Sequence, residues 1–82
     1  MSPPFLHAFL TEAECVYPRE TLACLIVNRI YSKEQLKETW KQTWVVWVAT
    51  LTSMGVHLED AKKIWLWFAK EKLKKCRQIA AL

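Results

Sequence analysis

Apolar residues along this 82-residue chain recur at three- and four-residue steps, the spacing of a helix face, and no stretch reads convincingly as a strand. Ser2 can cap a first helix with Pro3 at its opening position, where a missing N–H costs nothing. That helix is expected over about Pro4–Glu14, with Phe5 and Phe9, and with them Leu6, Leu10 and Ala13, turned inward. Pro18 pushes Tyr17 toward an extended conformation, so the chain should break near Val16–Tyr17. From Pro18 to about Ile30, Leu22, Ile26 and Ile30 keep one face. The run Leu25-Ile26-Val27 taken alone reads equally well as a buried strand, and the proline start with its good helix formers selects a helix.

Ser32 and Gln35 have the spacing of a capping box, which predicts a third helix opening at Lys33. Leu36, Trp40, Trp44, Trp47, Val48, Leu51 and Met54 then hold one face, so this helix is predicted to run unbroken to about Met54, with Gly55 just past its end. Val45, Val46 and Ala49 widen its apolar surface, as in a helix covered on more than one side. A fourth helix is predicted over about Leu58–Ile79, its inward stripe being Leu58, Ala61, Trp65, Phe68, Ala69, Cys76 and Ile79. Ile64 and Trp67 fall off that stripe. Glu59 and Asp60 in its first turn and lysines in its last both suit the helix dipole.

The expectation is therefore an all-α fold, a small bundle of three to four helices with a long central and a long C-terminal helix, forming one domain over residues 1–82. Composition narrows the class. A chain that is 52% hydrophobic and 24% charged is too apolar for disorder. A chain this short excludes a multidomain enzyme. Three cysteines, Cys15, Cys24 and Cys76, with no closely spaced pair argue against a secreted disulfide scaffold. Met1–Leu10 lacks the basic start of a signal peptide, and the apolar stretch from Gln42 to His57 falls short of a membrane span. A soluble, cytoplasmic protein with free thiols is expected.

Little chemistry is available. A single glycine cannot build a phosphate loop. The scattered His7, His57 and three cysteines lack the paired spacing of zinc ligands, so neither a metal nor a cofactor is expected. No nucleophile sits beside a base in any recognisable pattern, and the chain reads as non-enzymatic.

Tryptophan and charge carry the remaining information. Five tryptophans are many for one small core to enclose while giving each indole N–H a partner. Trp44, Trp47 and Trp65 are expected in the core, and Trp40 and Trp67 at an interface, where tryptophan is a common binding anchor. Residues 1–28 hold three acidic groups against one basic, while residues 29–82 hold eleven basic against five acidic. On the last helix Lys63, Lys70, Lys74 and Arg77 share a face with Trp67 at its edge. Such a face is either a solvated helix end or an attachment site for an acidic protein, a phosphate backbone or an anionic membrane surface.

Glu20-Thr21-Leu22, Tyr31 to Leu36 and Met54 to Asp60 are similar to short segments of MerR-type winged-helix regulators. The resemblance implies a helix-turn-helix containing the first segment, and Arg19 and Arg29 as DNA contacts. The wing that separates the first two segments in that family has no counterpart here.

The leading functional expectation is a small helical regulator or inhibitor that docks on another protein, or on itself as a homo-oligomer. Its contacts would be Trp40, Trp67, Ile64, Lys63, Lys70, Lys74 and Arg77. A compact dimeric helix-turn-helix DNA-binding regulator is the alternative, and a structural subunit of a larger assembly the second.

Overall fold

The computed structural model describes residues 4–40 and 43–80, and the side-chain surroundings of residues 5–40 and 43–75. Within these the chain is all helical: α1 (Pro4–Glu12), α2 (Pro18–Val27), α3 (Lys33–Thr39), α4 (Trp44–Ser53) and α5 (Leu58–Ala80). The long axis is 42 Å against 27 and 21 Å across, because the 23-residue α5 alone spans about 34 Å at 1.5 Å per residue.

Three of the four turns end a helix in the same way. Glu14 (φ 66°), Arg29 (φ 62°) and Gly55 (φ 98°) all take left-handed backbone conformations just past α1, α2 and α4. The next residue's N–H then reaches back five positions: Cys15 to the Leu10 carbonyl (3.1 Å), Ile30 to Leu25 (2.8 Å) and Val56 to Leu51 (3.2 Å). These are Schellman turns, which satisfy the last carbonyls and bring an apolar residue back under the helix end. Ile30 and Val56 are buried accordingly. The sequence marks only the turn at Gly55, since glycine alone takes φ > 0 without steric cost.

The expected central helix is two helices. Trp40 leaves α3 with extended backbone (φ −66°, ψ 123°), and Thr43 enters α4 likewise (φ −81°, ψ 107°). The break lets Trp47 Nε1 donate to Thr39 Oγ1 (3.1 Å), although the two residues would stand about 12 Å apart along one continuous helix. The fully buried indole thus finds its hydrogen-bond partner because α3 ends before Trp40 and α4 begins after Thr43. At the start of α3 the predicted cap is present: Ser32 Oγ accepts from Gln35 N–H (3.2 Å), and Gln35 Oε1 accepts from Tyr31 N–H (2.7 Å).

The core is made by Leu6, Phe9 and Leu10 of α1, Leu22 and Leu25 of α2, Leu36 of α3, Trp47, Val48 and Leu51 of α4, and Ala61, Ile64 and Phe68 of α5. Two expected inward residues are out: Phe5 is 87% exposed and Leu58 51% exposed. Both stand in the first turn of a helix. Among the described residues no helix is long and apolar enough to cross a membrane.

Candidate docking surface

The residues expected to contact a partner divide in the structure. Ile64 belongs to the core and not to a surface: it is fully buried, because α5 is rotated so that Ala61, Ile64 and Phe68 form its buried line. Trp65 and Trp67 straddle that line and are each half-buried. Trp67 stacks edge-on against Phe9 (4.8 Å between centroids) and Phe68 (5.5 Å), with the Lys33 ammonium over its ring at 4.9 Å. It is an integral part of the packing between α1 and α5. We therefore expect Trp67→Ala to destabilise the fold by about 2–4 kcal/mol, read as a lower thermal midpoint, through lost aromatic packing.

Trp40 and Trp44 close the other end of the aromatic cluster. Trp40 lies 5.9 Å from Trp65 and 6.0 Å from Phe68, and Trp44 meets Trp65 edge-on at 5.4 Å. Of the three indoles expected in the core, Trp47 alone is fully buried, and Trp44 and Trp65 are half-buried against it. The Nε1 atoms of Trp40 and Trp65 are buried without a hydrogen-bond partner. Lys62 and Lys72 lie over Trp44 and Trp40 at 5.8 and 5.9 Å, so lysines cover several indoles from outside.

The basic residues expected to bind remain on the surface. Lys70 and Lys74 are exposed and Lys63 is half-buried, while the Arg77 side chain lies outside the described residues. Sequence reading missed what lies between them. Leu66 (44% exposed) and Leu73 (58% exposed) fall on the same side of α5, opposite the core, giving the line Lys63, Leu66, Lys70, Leu73. Helical spacing alone could have shown it, since Leu66 and Leu73 stand seven residues apart and each is three from a lysine. A shallow cavity of about 160 Å³ beside this line is lined by Glu12, Ala13 and Glu14 with Lys63, Leu66, Trp67 and Lys70.

Asp60 is the other residue whose role the sequence concealed. It stands in the first turn of α5, as the helix dipole favours, yet it is fully buried. Its carboxylate accepts from the N–H groups of Val16 (2.7 Å) and Tyr17 (3.0 Å) and from the Thr21 hydroxyl (2.7 Å). It thereby caps the start of α2 and ties α5 to the turn between α1 and α2. Beside it, His57 Nε2 meets Glu20 Oε2 at 2.6 Å, and the Tyr17 ring lies 4.3 Å from the imidazole. His57 and Glu20 are both largely exposed, as a surface clasp across the same junction.

No nucleophile emerges at this junction. Burial, and then the negative charge of Asp60, push the Cys15 thiol up to about 12 from the ordinary 9.0, against the opposing pull of Lys63. The thiolate at pH 8 is then about a thousandfold scarcer than in a free cysteine. We expect Cys15 to resist iodoacetamide at pH 8 in the folded chain and to react once urea is added, as peptide mass mapping would read. Among the described residues no three of His, Cys, Asp and Glu gather as a metal site. Comparison with known protein families, with curated proteins and with solved structures finds no match to this chain.

Proposed function

We propose that this chain is a non-enzymatic helical docking protein, a small regulator or inhibitor, which binds an acidic partner protein along the outward face of α5. The observation that carries this reading is the line Lys63, Leu66, Lys70, Leu73, where leucine and lysine alternate on the side opposite the core. Exposed leucines supply apolar area worth about 1–2 kcal/mol each when fully covered. The lysines between them select a partner with carboxylates flanking its own apolar contacts and speed its encounter. A phosphate backbone would satisfy the lysines and leave both leucines facing water.

The helix-turn-helix reading has less support. The solvent face of α2 presents Arg19, Glu20, Ala23 and Val27, and Val27 is 80% exposed. That mixture offers one cation beside one anion and no amide side chain to read a base edge.

The test is affinity capture from cells that make the protein, comparing the native chain with Leu66→Asp/Leu73→Asp and with Lys70→Glu. Circular dichroism should show all three folded, since the altered side chains are exposed. Both variants are expected to lose an acidic protein that the native chain retains at low salt and releases at high salt. Retention of that protein by both variants, or recovery of nucleic acid alone, would refute the reading.

A further inference from the structure

Phe5 stands almost wholly in water, and it does so at the rim of a cavity rather than alone. Phe5, Ala8, Phe9 and Glu12 fall within about 100° of the α1 circumference and line one side of that cavity. The exposed Tyr31, in the turn after α2, lines it from another element, with Lys33 and Glu34 at the start of α3. The groove holds about 460 Å³, which lies within the roughly 300–1,000 Å³ of ligand pockets. Two carboxylates line it against one ammonium, and Lys33 places that ammonium over the Trp67 ring at 4.9 Å. Among the described residues neither Glu12 nor Glu34 is in an ion pair. Glu12 is also the last residue of α1, where the helix dipole favours a cation, and the last turn of α1 holds no basic residue.

We infer that this groove between α1 and the start of α3 binds a short arginine-bearing segment of a partner protein. Glu12 and Glu34 supply the charge opposite to the guanidinium, and Phe5 and Tyr31 supply the aromatic contact. In a chain of net charge +4 this recess is acidic and aromatic together, a combination that selects a cation with a flat apolar face. A guanidinium stacks on an aromatic ring and offers two parallel N–H groups to one carboxylate. A lysine ammonium is a compact, more strongly hydrated charge that does neither. From Phe5 to Glu12 the α1 wall runs about 10 Å, room for an arginine and one neighbouring apolar side chain. An acidic segment or a phosphate backbone would set anion against carboxylate here. The groove uses none of Lys63, Leu66, Lys70 and Leu73, so either proposal can fail while the other stands.

The test is amide NMR of the full chain, titrated with an acetylated leucine–arginine–leucine amide and with the same peptide carrying lysine, citrulline or glutamate in place of arginine. The arginine peptide is expected to shift amides of residues 5–12 and 31–34. The citrulline and glutamate peptides are expected to bind at least about tenfold more weakly, the equivalent of 1.4 kcal/mol, with the lysine peptide in between. Phe5→Ala and the double variant Glu12→Gln/Glu34→Gln should each weaken the arginine peptide severalfold and keep the native circular-dichroism spectrum, since all three side chains are exposed. Equal binding of the citrulline peptide would remove charge from the account, and equal or tighter binding of the lysine peptide would remove the stacked guanidinium. Shifts centred outside the groove, no binding of the arginine peptide, or full affinity in either variant would also overturn the assignment. Loss of binding only where the helical spectrum is lost as well would count against it too.

Discussion

Replacing Asp60 with alanine is expected to cost about 3–5 kcal/mol of folding stability, since one buried and two part-buried donors lose their acceptor at once. The carboxylate takes both N–H groups at the entry to α2 and the Thr21 hydroxyl, and the buried Thr21 bond joins α5 directly to α2. An 82-residue domain has roughly 4–12 kcal/mol in hand, so this one substitution removes a large share of the native margin. Asp60→Asn should fall between the two, at about 1–3 kcal/mol. It keeps one acceptor oxygen, and its amide then confronts a backbone N–H. Thr21→Val removes only the hydroxyl and should cost about 1 kcal/mol. Urea titrations followed by circular dichroism check the order. Equal midpoints for Asp60→Ala and the native chain would show that the carboxylate is not what joins these helices.

Trp47→Ala is expected to have an effect of similar size, about 3–5 kcal/mol, by leaving a cavity at the centre of the core. Trp47 is the largest fully buried side chain; it packs edge-on to Phe68 at 6.3 Å and donates to Thr39. Trp47→Phe keeps an aromatic ring in the core and should lose about 1–2 kcal/mol, because Thr39 still has its bond to the Leu36 carbonyl. Phe5→Ala, at a residue 87% exposed, should change the midpoint by less than about 0.5 kcal/mol. Comparable losses at Phe5 and Trp47 would mean that the aromatic residues are arranged otherwise than described.

Helix spacing, the proline start of α2 and the Ser32–Gln35 cap made most of the fold legible, because each acts within a few residues; the expected Ser2–Pro3 start of α1 lies outside the described residues. What could not be read depends on distant partners or on residue types that carry no signal. Glu14 and Arg29 end helices in a left-handed conformation usually left to glycine, and nothing in their chemistry announces it. The break at Trp40–Thr43 has neither proline nor glycine. It follows from where Trp40, Trp44 and Trp47 must go to meet Trp65, Phe68 and Thr39, which local periodicity cannot express. The rotation of α5 was ambiguous for a related reason. Apolar residues at 64, 65, 67 and 68 span about 160° of the helix circumference, and the tether of Asp60 to α2, with Ala61 buried beside it, selects Ile64 for the core.

The surface was legible in part. The lysines of α5 stood out as a run of charge, and the run concealed two distinct faces: the outer line with Leu66 and Leu73, and the inner pair Lys72 and Lys75 above Phe68. Counting charge cannot separate them, whereas the helix rotation fixed by Ala61 and Ile64 does.

The most direct measurement of the docking account places a photo-crosslinking side chain at Leu66, at Leu73 or, on a different helix, at the still more exposed Val27, and maps the adducts formed in the cell. The account predicts one acidic protein joined through Leu66 and Leu73 and absent at Val27. Adducts at Val27 with the same protein, and none at the two leucines, would contradict it.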